Sequence, residues 1–64
     1  MRLREIREEI KMGLNELARR AGINSSYISE LERGIKNNPS REVMEKIAKA
    51  LDRNVSEIFF NDII

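Results

Sequence analysis

Between residues 24 and 41 the chain gathers side chains that hydrogen-bond or carry charge, in an order suited to recognition rather than catalysis. Ser25, Ser26 and Ser29 can each donate or accept a hydrogen bond, and Glu30 can accept from an amino group such as that of cytosine. Arg33, Lys36 and Arg41 follow with no acid among residues 33–41, and Asn37 and Asn38 stand beside them. The chain has no His and no Cys, so no nucleophile–base pair can be assembled and neither a metal cluster nor a disulfide is expected. The three Gly residues lack phosphate-loop spacing and read as turn and cap positions. The expectation is a non-enzymatic binding surface with no cofactor, no metal and no small-molecule ligand.

The elements that must position these residues are legible in LNELARRAGINSSYISELER, residues 14–33. Two short helices crossing through a tight turn need a small residue where they touch, which Ala18 supplies. They also need a residue tolerant of positive φ to end the first helix, which Gly22 supplies. Leu17, Ala21, Ile23, Ile28 and Leu31 fill the apolar positions around the crossing. With Ile28 and Leu31 turned inward, Ser25, Ser26, Ser29 and Glu30 face out and Tyr27 lies at the edge. This is a helix-turn-helix, whose commonest employment is to lay its second helix in the major groove of DNA. Double-stranded DNA is therefore the expected partner, with Ser25, Ser26, Ser29 and Glu30 at base edges. Leu14, Asn15, Asn24, Tyr27, Arg33, Lys36, Asn37, Asn38 and Arg41 are the expected sugar–phosphate contacts. At Gly13-Leu14-Asn15 the N–H groups of a helix N-terminus add to that set.

Sixty-four residues suit one all-α domain spanning 1–64. A chain this short buries only about 60% of the surface its unfolded form exposes, so helix packing must supply the stability. Leu3, Ile6 and Ile10 form the stripe of a first helix over about residues 2–11. Helices over 14–21 and 25–33 follow, the second capped by Asn24 and stopped by Gly34. Ser40 caps a fourth helix with Val43, Met44, Ile47, Ala48 and Leu51 on its apolar face. Asn54 starts a fifth, and Glu57 three residues later completes a capping-box pattern. No apolar run approaches the roughly 18 residues of a membrane span, no secretory segment follows Met1, and a cytoplasmic location is expected. Net charge is only +1, with 12 Lys+Arg against 11 Asp+Glu, low for a nucleic-acid binder, so the distribution of charge must matter more than its sum.

At 100° per residue, Val55, Ile58, Phe59 and Ile63 gather on one side of the last helix, while Phe60 and Ile64 lie on another. A single domain covers about one such face, and the excess predicts a homodimer through the C-terminal helix with Phe60 and Ile64 in its interface.

LREIREE in the first helix, ELARRAGIN and SYISELERG across the motif, and MEKIAKAL in the fourth helix together resemble the Cro/CI-type (XRE) helix-turn-helix family. The resemblance covers residues 3–59. It implies a five-helix lambda-repressor-like domain, a transcriptional regulator acting as a repressor, and base contacts at the helix-three positions named above. It also implies a structural ion pair between Arg7 and Glu32 that ties helix one to helix three. Three departures stand out. Leu14 replaces the usual Gln, Gly13 replaces a Ser/Thr cap, and Arg53 replaces an apolar residue. The family also contains antitoxins and bridging factors whose main ligand is a protein. The low net charge and the apolar tail EIFFNDII favour that alternative, an interaction module.

Overall fold

Leu17, Ala18 and Ala21 occupy one arc of α2 (Leu14–Ala21), and all three are buried. In the computed structural model, which describes residues 1–60, that arc packs against α3 (Ser25–Glu32) and α4 (Arg41–Leu51). Ile28 and Leu31 of α3 and Ile47, Ala48 and Leu51 of α4 are buried against it. α1 (Leu3–Glu9) brings Leu3 and Ile6, and packs on α3 and α5. α5 (Val55–Phe59) closes the same core with Ile58 and Phe59. The Arg2 N–H donates to the Ile58 carbonyl at 2.7 Å, which ties the start of the chain to α5. Met12, Met44 and Ile23 are half-buried at the margin of this single core.

Each of the first four helices ends in the same way. The residue after the cap takes a left-handed conformation, or is itself that cap, and two backbone hydrogen bonds close back on the last turn. After α2, Gly22 (φ 69°) donates to Arg19 at 3.3 Å and Ile23 donates to Ala18 at 3.0 Å. After α3, Gly34 (φ 80°) donates to Leu31 at 3.2 Å and Ile35 to Glu30 at 2.9 Å. After α4, Asp52 (φ 57°) donates to Lys49 at 3.2 Å and Arg53 to Ala48 at 3.0 Å. After α1, Lys11 (φ 57°) donates to Glu8 and Met12 to Arg7, both at 3.0 Å. Three helix starts, those of α3, α4 and α5, carry side-chain hydrogen bonds. The Asn24 Oδ1 accepts from the Ser26 N–H at 2.7 Å, and the Ser40 Oγ accepts from the Val43 N–H at 3.2 Å. At α5 the Glu57 carboxylate accepts from the Asn54 N–H at 3.1 Å. Gly13 starts α2 in an extended conformation with no side-chain cap.

Two boundaries differ from the sequence expectation. The first helix was expected over residues 2–11 but stops at Glu9, because the turn centred on Lys11 already begins at Ile10. Ile10, expected on the buried stripe, is consequently 37% exposed. α3 stops one residue early, with Arg33 as its cap. Ile63 and Ile64 lie outside the described residues.

Arg7 and Glu32, 25 residues apart, meet as the family resemblance implies. The Arg7 Nε donates to Glu32 Oε2 at 2.7 Å, and its Nη2 donates to Oε1 at 3.1 Å, a two-pronged match of guanidinium to carboxylate. The third guanidinium nitrogen, Nη1, donates to the Met12 carbonyl at 2.8 Å. The pair is shielded, with side chains only 12% and 6% exposed. The Glu32 hydrogen bond, with help from the charges of Glu32 and Glu8, raises the Arg7 pKa against the opposing effect of burial. A raised pKa on a base means its stabilisation is complete at all ordinary pH and is lost only in strong alkali.

Two outcomes are expected from thermal unfolding. Ala18→Leu adds three heavy atoms at the crossing of α2 and α3 and should cost about 1–3 kcal/mol, lowering Tm by several degrees; an unchanged Tm would contradict the packing. Glu32→Ala strands the shielded Arg7 charge and should cost about 3 kcal/mol, or roughly 12–24 °C in Tm. A loss of only a degree or two would mean that the pair does not fix α3.

Candidate nucleic-acid interface

α3 is held from three sides, by the burial of Ile28 and Leu31, by Glu32 on Arg7, and by the Asn24 cap. Its remaining side is presented outward. There, Ser25, Ser26, Ser29 and Glu30 line one shallow depression together with Leu14 from the start of α2 and Arg33 from the end of α3. All the residues expected at base edges are thus brought to one place, flanked by one basic side chain. Ser26 is exposed, while Ser25, Ser29 and Glu30 are half-buried in the walls. Short hydroxyls and a carboxylate make this floor a set of hydrogen-bonding groups with little bulk, which leaves room for the edge of a partner to approach. Leu14 contributes an apolar patch in place of the amide that the family usually carries there.

The other expected contacts divide. Asn15 is exposed, and Tyr27 is half-buried and packed in part on the core. Asn24 is exposed, but its Oδ1 is committed to the Ser26 N–H, so its amide NH2 is the group left for a partner. Arg33 and Lys36 are exposed and make no ion pair among the described residues. Arg41 is also exposed but pairs with Glu45 at 3.2 Å, one turn along its own helix. Asn37 and Asn38 are exposed and border a second cleft of about 120 Å³, shared with Met1, Pro39, Met44, Phe59 and Phe60. That cleft brings the connector between α3 and α4 against the end of α5. Phe60 is 44% exposed at its mouth.

Many of the opposite charges that bring the net to +1 are taken up in local pairs. Arg2, Arg4, Arg20, Arg41 and Lys46 each pair with a Glu three or four residues away, as helical periodicity allows. These exposed pairs contribute little to stability, but they cancel charge on the outer faces. Two of the cations left without such partners, Arg33 and Lys36, follow α3 directly. Sequence reasoning missed Ile35, which stands between them and is 60% exposed. In a connector there is no helical phase from which its orientation could be read. It also missed the left-handed Lys11, which lacks the Gly or Asn signature of such a position.

The helix-turn-helix family matches residues 3–58 of this chain. The transcriptional regulator SinR of Bacillus subtilis is 41% identical over 54 residues, which cover 84% of this chain and 49% of SinR. This chain therefore spans about half the length of that relative. The solved N-terminal DNA-binding domain of SinR superposes with a TM-score of 0.80 at 41% identity, covering 84% of this chain and 78% of that one. A solved complex of SinR with SinI gives a TM-score of 0.87 at 36% identity, over 95% of this chain and 59% of that one. Fold, motif and sequence agree, and this chain belongs to the helix-turn-helix family of the Cro/CI (XRE) type.

Proposed function

We propose that this chain is a sequence-specific DNA-binding transcriptional regulator that inserts α3 into the major groove and represses by occluding polymerase. The observation that carries this reading is the single depression uniting Leu14, Ser25, Ser26, Ser29, Glu30 and Arg33. The major groove is about 12 Å wide and admits one helix, and α3 is the helix whose outward side is polar, small and bordered by cations that make no ion pair among the described residues. Ser25, Ser26 and Ser29 read base edges, and Glu30 accepts from a cytosine amino group. Arg33, Lys36, Asn37 and Asn38 hold phosphates, joined by the N–H groups at the start of α2 and by the amide of Asn24. Arg41, held to Glu45 through Nε, can join them with its other guanidinium nitrogens. No reaction and no cofactor is part of this reading. The similarity to a domain described as DNA-binding, within a relative described as a transcriptional regulator, supports it.

We also propose that the chain pairs with a second copy through the end of α5. Phe60 is exposed beside the cleft formed with Met1, Met44 and Phe59, which is apolar surface that the described residues leave uncovered. Ile64, the other expected interface residue, lies outside the described residues. Two copies would present two α3 helices to a near-palindromic site with half-sites about 34 Å apart. The same exposed Phe60 supports a second reading, a module whose main ligand is another protein. That reading is selected over the first if the chain binds no duplex DNA even at low salt.

Binding to a selected duplex, measured across a salt series, should sort the contacts. Arg33→Ala is expected to weaken binding to all sequences alike and to lower the slope of log affinity against log salt by about one. Ser26→Ala is expected to change relative affinity among sites and leave the slope in place. If Arg33→Ala changed site preference with the slope intact, the assignment to phosphate would be wrong. Sedimentation should show a dimer at micromolar concentrations that Phe60→Glu converts to monomer. A parent chain that stays monomeric in the high micromolar range would overturn the pairing.

A further inference from the structure

Four described residues hold positive φ, and they occupy equivalent places in the turns that end α1 to α4. Two are Gly and one is Asp, types that reach the left-handed region readily. The fourth is Lys11, whose Cβ makes that conformation costly and whose side chain has no local hydrogen bond to offer in return. The fold gains nothing visible from the head of this side chain. Lys11 is exposed, and among the described residues its ammonium makes neither an ion pair nor a hydrogen bond. A residue kept in an unfavourable backbone state without a structural partner calls for a functional reason.

Its surroundings supply one. The turn is fixed, because the Met12 carbonyl beside it is gripped by the Arg7 Nη1 at 2.8 Å, and the same guanidinium holds Glu32 of α3. Leu14, three residues on, lines the depression with Ser25, Ser26, Ser29, Glu30 and Arg33, so the Lys11 backbone lies within about 11 Å of it along the chain. Lys11 thus stands exposed, on a long stem, in the loop that leads into α2, while Arg33 and Lys36 follow α3.

We propose that Lys11 is a further phosphate-binding residue, held in a strained turn so that the recognition face has a positive charge at both ends. The proposal rests on the DNA-binding reading above and adds a residue to it. It makes stability and affinity move in opposite directions. The experiment compares the 64-residue chain with Lys11→Gly, Lys11→Ala and Lys11→Arg by thermal unfolding and by duplex binding across a salt series. Lys11→Gly should raise Tm by a few degrees, since Gly adopts the turn freely, yet weaken binding on the order of threefold to tenfold and lower the salt slope by about one. Lys11→Ala, which keeps the Cβ and the strain, should lose the same affinity without the gain in Tm. Lys11→Arg should retain both affinity and slope. If the parent binds duplex and Lys11→Gly and Lys11→Ala bind with the same affinity and slope, the proposal is overturned and the DNA-binding reading stands. If the parent binds no duplex at low salt, that reading fails and takes this role for Lys11 with it.

Discussion

One guanidinium organises the recognition end of this domain. Through its three nitrogens Arg7 holds both oxygens of Glu32 and the carbonyl of Met12. A residue of α1 thereby fixes the last turn of α3 and the loop that leads into α2. The apolar core sets how far apart the helices lie, but hydrophobic contacts are non-directional and leave rotation and sliding of α3 weakly determined. A planar, two-pronged ion pair is directional, and removing either member would leave the other shielded and unpaired. The position of Ser25, Ser26, Ser29 and Glu30 relative to Leu14 therefore depends on a contact that none of them makes.

The second constraint is the repeated helix ending. In 60 described residues, four short connections must reverse the chain without burying unsatisfied carbonyls. The same pair of backward hydrogen bonds does this each time. Because the α2 ending brings Ile23 back onto the Ala18 carbonyl, it also sets the entry to α3. Structure and site share these turns. The α3 ending places Arg33 at its cap and aims Ile35 and Lys36 back at the Glu30 carbonyl, with distances of 2.9 and 3.2 Å.

Much of this was legible from residue types. Ala18, Gly22, Asn24 and Ser40 have local roles that their chemistry announces, and the buried faces of α2 and α4 follow helical spacing. What escaped was non-local or went against type. Lys11 and Asp52 close helices without the usual glycine, and for α1 this means that spacing alone runs the helix past Glu9 and puts Ile10 on its buried stripe. No spacing rule could join Arg7 to Glu32 across 25 residues; only likeness to a family did so. Arg41 is expected at a phosphate from a stretch, residues 33–41, that lacks an acid, yet Glu45 lies just beyond that window and one turn away. The gathering of the three serines and Glu30 was predictable, since it needs only the burial of Ile28 and Leu31. That Leu14 and Arg33 border the same depression depends on how α2 and α3 cross, which sequence alone does not specify.

The central claim is that α3 and its flanks are the surface that meets DNA. The most direct measurement is an amide NMR titration of the intact chain with a short duplex at low salt. The account predicts shifts concentrated at residues 11–15, 24–30 and 33–38, with the outward faces of α4 and α5 little changed. Shifts centred on α4 and α5 with α3 unmoved, or no shifts at all, would contradict it.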